Sequence, residues 1–144
     1  TDLELELSRL NKKIEAGADF IMTQPVYDPA VLERFMIGLE QLPKIPILLG
    51  LCPLASARNA HFLNQNVPGM SVPEAILKRM EDADTKGSGS EEGIKIAREM
   101  LTSFRDAFNG AYIMPPFSRH RMAIEVLFPS SEAKATASAK TQLA

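Results

Sequence analysis

Gln24 ends a short apolar run, Asp19-Phe-Ile-Met-Thr-Gln24, and is followed at once by Pro25. A neutral amide in that place donates and accepts hydrogen bonds together, which suits reading the edge of a heterocycle; pinning the adjoining loop is the competing role. Asp28 precedes Pro29 at what reads as a helix start, so capping comes before any catalytic duty. Arg119 falls in the expected first turn of a helix, where its charge opposes the helix dipole. An anion sharing the site would explain that placement, and plain solvent exposure is the alternative. Lys13 lies one turn before Gly17, where the dipole favours lysine, and taken alone reads as a surface residue. His61 and His120 are isolated and lack metal-ligand spacing, so structural or solvated roles come first. Cys52 has no histidine or basic neighbour in sequence and reads as a small core hydrophobe. The chain has no Gly-x-Gly-x-x-Gly, P-loop, Gly-x-Ser-x-Gly or His-Glu-x-x-His motif.

The elements that must position these residues follow from periodicity. Leu3, Leu7, Leu10 and Ile14 make the stripe of an amphipathic helix that Gly17 stops. Asp19–Gln24 fits a buried strand. Asp28-Pro29 opens a second helix with the stripe Val31, Leu32, Phe35, Met36 and Leu39. Ile45–Gly50 is a continuous apolar run of the kind found in parallel strands covered on both faces, closed by Pro53. A short helix is expected over Ser56–Asn64, and Ser71-Val-Pro-Glu74 reads as a capping box opening another through about Met80. Asp84–Ser90 has the composition of a flexible surface loop. A long helix is then expected from Ser90, with Ile94, Ala97, Met100, Leu101, Phe104 and Phe108 inward and Gly110 as its stop. Ala111–Met114 reads as a third strand, and Ser118 as the cap of a last helix through Leu127. Residues 129–144 hold no large apolar residue before Leu143 and are expected to be a flexible tail.

Strands alternating with helices indicate right-handed βαβ units and a parallel sheet, whose chemistry sits at the C-terminal strand ends in an open sheet or a barrel alike. Here those ends are Gln24–Asp28, Gly50–Pro53 and Pro115–Arg119. Composition narrows the partners. The chain has 144 residues, 45% hydrophobic, with Lys+Arg 16 against Asp+Glu 18. The resulting charge of -2 lacks the basic footprint of a protein that grips nucleic acid or an anionic membrane. One cysteine excludes an internal disulfide framework and multi-cysteine metal clusters, and fits a reducing, cytoplasmic setting. No apolar run approaches a membrane span, and no signal peptide opens the chain. Its first residue is Thr1 rather than Met, so a processed or excised piece is one expectation.

Several stretches, in order, resemble one family. They are Glu15-Ala-Gly-Ala-Asp-Phe-Ile-Met-Thr-Gln-Pro-Val-Tyr-Asp28, Pro46-Ile-Leu-Leu-Gly-Leu-Cys-Pro-Leu54, Arg58-Asn-Ala-His-Phe-Leu63, Asn66-Val-Pro-Gly-Met-Ser-Val-Pro73 and Met114-Pro-Pro-Phe-Ser-Arg119. The resemblance is to the 5,10-methylenetetrahydrofolate reductases, flavin enzymes built on a (βα)8 TIM barrel. The Thr-Gln-Pro-Val-Tyr-Asp and Met-Pro-Pro-Phe wording is most similar to the reductase module of bifunctional bacterial proteins that also carry a homocysteine S-methyltransferase domain. It implies that residues 1–128 form the C-terminal part of such a barrel, about strands six to eight with their helices.

The resemblance also implies site residues. Gln24 would contact the folate pterin or the nicotinamide, Leu63 would pack on the folate's aminobenzoate ring, and Arg119 would lie near the substrate or its glutamate tail. Lys13 matches a contact to the flavin's phosphates and Glu6 a ribose contact. Pro115 stands where some members have tyrosine, so that contact is not carried over. The family's general acid and most of its flavin contacts belong to strands outside this chain. The implied reaction of one-carbon metabolism and methionine biosynthesis passes hydride from NADH or NADPH to FAD and on to methylenetetrahydrofolate, giving 5-methyltetrahydrofolate. A homo-oligomer, or the remainder of its own barrel, is the expected partner. By itself the chain is expected neither to hold FAD tightly nor to reduce the folate. Two rivals stand beside this reading: an inert or regulatory partial barrel that needs a partner, since three strands leave two open edges, and another TIM-barrel enzyme such as a Schiff-base lyase. The absence of lysine from any expected strand counts against the lyase.

Overall fold

A computed structural model describes residues 3–129. The tail expected at residues 129–144 lies, from 130 onward, outside the described residues. Three strands form one parallel sheet in the order β1-β2-β3: β1 Ile21–Pro25, β2 Ile47–Leu51 and β3 Gly110–Ile113. Six helices are described: α1 Leu3–Glu15, α2 Pro29–Leu39, α3 Ala57–Asn66, α4 Glu74–Asp84, α5 Gly89–Ser103 and α6 His120–Leu127. The architecture is α/β, as expected.

Local chemistry explains most boundaries. Asp28 is extended and its carboxylate accepts the Ala30 N–H at 3.0 Å, with Pro29 opening α2. Ser56 caps α3 by accepting the Asn59 N–H at 3.1 Å, and the Asp84 carboxylate accepts the Ala57 N–H at 2.7 Å. Three expectations are corrected. Ser71 does not cap α4, which begins at Glu74 with Pro73 in the cap position and no side-chain cap. The reason is Val72: it is buried, and its N–H is held by Asn64 Oδ1 at 2.9 Å, which keeps the segment extended. The loop expected over Asp84–Ser90 is a tight turn, because Gly89 is already helical and buried. Finally, α5 stops at Ser103 rather than running on to Phe108. The chain unwinds there so that Asn109 can pair with the start of β2, its N–H donating to the Ile47 carbonyl at 3.0 Å and its Oδ1 accepting the Ile47 N–H at 2.9 Å.

Two cores result. The first lies between one face of the sheet and α2, α5 and α6, and contains Leu32, Leu49, Leu51, Ile94, Ala97, Met100, Met122 and Val126. Arg98 on α5 reaches the Glu125 and Val126 carbonyls at the C-terminus of α6, satisfying groups the helix itself leaves open. The second core lies beyond the strand ends, under α3 and α4, and joins Tyr27, Leu54, Ala60, Val72, Leu77, Met80 and Ile96. Each fully buried aliphatic side chain contributes about 1.5–3 kcal/mol relative to exposure.

The β1–β2 ladder is irregular. Ile21 pairs with Ile47 and Met22 with Leu48, but Pro25 pairs with Gly50, so β1 carries one residue more than its neighbour over the same span. The bulge falls at Thr23–Gln24.

Candidate functional site

The C-terminal strand ends gather most of the polar chemistry. Gln24 leaves β1 at its bulge and is exposed. Gly69, in the turn between α3 and α4 with φ +80, sits directly against it: a Cβ there would stand 2.7 Å from Gln24 Oε1. That backbone angle favours glycine, and the absent side chain leaves the Gln24 amide room against the turn. Leu63 on α3 is partly buried and packs on the second core, as does Met70, the neighbour of Gly69. The turn thus brings the amide of Gln24 and the apolar shelf around Leu63 to one end of the sheet.

Beneath them, Tyr27 donates its hydroxyl to the Cys52 carbonyl at 2.9 Å, and Tyr112 on β3 donates to the Thr23 carbonyl at 2.5 Å. Burial, the largest cause, pushes both phenols above their ordinary range. Burial likewise pushes the Cys52 thiol up, against the hydrogen bond from Tyr27, which pulls it down. Cys52 is therefore a protonated thiol at neutral pH and no nucleophile, in keeping with its place in the second core.

Arg119 is a correction in detail. It occupies the cap position of α6 and not its first turn, because a 3-10 turn over Pro116–Ser118 takes up the preceding residues, and Ser118 caps nothing. Phe117 and Ser118 adopt φ 54 and φ 56, both left-handed. The Arg119 guanidinium bends back over the Phe117 ring, 6.0 Å from its centroid, and donates to Ser90 Oγ at 3.2 Å. Ser90 in turn donates to the Ala55 carbonyl at 3.1 Å, beside a hollow of about 290 Å³ that Asp84 also lines. Arg119 is thereby tied to the exit of β2.

Glu6 and Lys13 are not part of this gathering. Both lie on α1, which packs on α2, and Ile14 beside Lys13 lines a groove at the opposite end of the sheet. Glu6 is bound to Arg9 at 2.6 Å, and Lys13 is exposed. No hydrogen bond or ion pair among the described residues links either to Gln24, Leu63 or Arg119. His61 pairs with Glu81 at 2.7 Å on the surface. The described residues contain no group of three or more His, Cys, Asp and Glu side chains fit for a metal ion, and no helix long and apolar enough to cross a membrane. Sequence reasoning passed over Thr23, Tyr112 and Gly69. Gly69 lies inside a quoted stretch, but nothing in the order of residues shows what it faces.

Similar proteins are known for this chain and its fold. A family model described as methylenetetrahydrofolate reductase matches residues 1–110. Methylenetetrahydrofolate reductase (NADH) 1 of Arabidopsis thaliana is 32% identical over 100 residues, which cover 66% of this chain and 16% of the plant protein. Methylenetetrahydrofolate reductase 2 of Schizosaccharomyces pombe is 27% identical over 111 residues, 70% of this chain and 17% of the yeast protein. The chain thus spans about a sixth of the length of these relatives. Among solved structures, a Clostridium thermocellum protein that binds two copies of 5-methyl-5,6,7,8-tetrahydrofolic acid is similar in fold, with a TM-score of 0.61 at 19% identity, over 84% of this chain and 45% of that one.

Proposed function

Because the chain belongs to the methylenetetrahydrofolate reductase family, we propose that it supplies the folate-contacting side of an oxidoreductase that reduces 5,10-methylenetetrahydrofolate to 5-methyltetrahydrofolate. Its three-stranded parallel sheet is part of a TIM barrel. The observation that carries the reading is Gln24, an exposed amide held between a strand bulge and Gly69, beside the apolar shelf of Leu63 and Met70. Such a pairing suits a pterin, whose ring edge both donates and accepts, attached to an aromatic ring that needs an apolar wall. In this reading Gln24 orients the pterin and later the nicotinamide, Leu63 packs on the aminobenzoate, and Arg119 meets the negative tail from the rim. None of them is an acid or a base. The similar Clostridium thermocellum protein binds a methylated folate, which supports the substrate class.

The reductant in this proposal is NADH or NADPH, and FAD is the carrier that the family implies. When bound, the flavin supplies the hydride acceptor and donor. Resemblance assigns it two of the described residues. Glu6 and Lys13 stand about 10 Å apart along α1, one bound to Arg9 and the other exposed. Lys13, exposed, would be open to a phosphate, and the remaining flavin contacts would come from other parts of the protein. Calorimetric titration of the protein with 5-methyltetrahydrofolate tests the reading. Gln24→Ala is expected to weaken binding about tenfold or more, equivalent to 1–3 kcal/mol for hydrogen bonds left unpaired. An unchanged dissociation constant would remove Gln24 from the site.

A further inference from the structure

The bulge in β1 is built, and the parts that build it converge on Thr23 and Gln24. Gly50 pairs with Pro25 across the irregular stretch, and its N–H donates to the side-chain oxygen Thr23 Oγ1 at 2.9 Å. The same hydroxyl donates to the Gln24 carbonyl at 2.9 Å. From the far strand, Tyr112 passes over Gly50 and donates to the Thr23 carbonyl at 2.5 Å. That reach needs a bare β2 at this point, since a Cβ on Gly50 would lie 2.6 Å from the Thr23 oxygen and 2.8 Å from the Tyr112 hydroxyl. Thr23 is therefore held from two strands, its side chain by β2 and its carbonyl by β3, and Gln24 is the residue that follows it.

From this convergence we infer that Thr23 and Tyr112 are positioning residues, which fix the bulge so that the Gln24 amide points out of the C-terminal end of the sheet against Gly69. The inference rests on the folate reading for its functional meaning, though its geometric content concerns Gln24 alone. Tyr112 acts as a cross-strand strut: remove its hydroxyl and the Thr23 carbonyl loses its partner, the bulge relaxes toward a regular ladder, and the amide turns. Thr23 acts locally, its hydroxyl accepting the Gly50 N–H across the bulge. A tyrosine phenol is protonated well above neutrality, and burial pushes that of Tyr112 further up, so the strut remains a donor throughout the neutral range.

Two measurements on the full-length protein test this. The first is the Gln24 side-chain amide resonance in protein labelled with nitrogen-15 glutamine, assigned by its loss in Gln24→Ala. It is expected to shift and broaden in Tyr112→Phe and in Thr23→Val, and to stay in place in Thr23→Ser, which keeps the hydroxyl. The second is a double-mutant cycle on 5-methyltetrahydrofolate binding. Tyr112→Phe is expected to weaken affinity about fivefold, the scale of one hydrogen bond, and to have no further effect once Gln24 is alanine. A purely structural role predicts equal losses in both backgrounds. An unmoved amide resonance in both Tyr112→Phe and Thr23→Val overturns the inference, as does an additive cycle in which Gln24→Ala itself weakens binding. Should the resonance move while Gln24→Ala leaves affinity unchanged, the positioning stands and the folate reading falls. If Tyr112→Phe does not fold, the Thr23→Val and Thr23→Ser pair decides by the same readouts.

Discussion

The two ends of the sheet have been treated differently. Where the strands finish, α3 and α4 form a roof with its own core, and Tyr27, Thr23, Tyr112, Ser90 and Arg119 make a web of hydrogen bonds among strand exits. Where they begin, an open groove of about 810 Å³ is lined by Ile14, Ile21, Met36, Ile47 and Phe104. It is the roomier of the two and the poorer in chemistry. Volume and polar chemistry thus point to opposite ends of the sheet, since the aimed donors and acceptors beside an apolar wall gather at the roofed end.

That contrast can be broken most directly through the roof. Met80, wholly buried in the second core, is expected to cost about 2–5 kcal/mol when replaced by alanine, read from the midpoint of denaturant unfolding. Ile37, which lines the groove and is 65% exposed, is expected to cost no more than about 0.5 kcal/mol in the same substitution. Equal losses would mean that the groove is as firmly packed as the roof. Next in size is Gly50→Ala, which forces a methyl between Thr23 and Tyr112 and is expected to destabilise by about 1–3 kcal/mol, with folate affinity falling alongside. Ser56→Ala removes the cap of α3 and is expected to cost about 1 kcal/mol.

The smallest effect concerns the clamp between α4 and α5, where Arg79 binds Glu92 and Glu99. The hydrogen bond from Arg79 holds the Glu99 carboxyl below its usual range. Its contribution is therefore present above the unfolded value near 4.3 and is lost as pH falls through the lower folded value. Because Glu99 is half exposed, less than about 1 kcal/mol is expected. Melting temperatures of Glu99→Gln and the parent should differ slightly at neutral pH and converge below about pH 4.

The contrast also explains what could be read in advance. Asp28-Pro29, Ser56 and the apolar runs declare themselves within a few residues, so the elements and the parallel α/β class were legible. The failed caps were overruled from a distance. Ser71 had the right spacing to Glu74, but Val72 was drawn into the second core and its N–H taken by Asn64. Ser118 lost its place to the turn that carries Phe117. Gln24 was legible from its type and its place at a strand exit. Its setting was not, because a bulge exists only relative to the register of a partner strand, and Tyr112 is 89 residues away in sequence from the carbonyl it holds. Lys13 and Glu6, assigned by resemblance, lie on a helix whose described contacts are elsewhere.

The turn after β3 has a thermodynamic consequence of its own. Phe117 and Ser118 hold consecutive left-handed backbone angles without being glycine, a conformation that costs roughly 1–2 kcal/mol per residue for a side chain with a Cβ. Glycine at either position would release that energy, so the loop is a reserve from which the protein could be made more heat-resistant. The withdrawal would fall on the segment that sets Arg119, and a sturdier chain would hold its arginine more loosely.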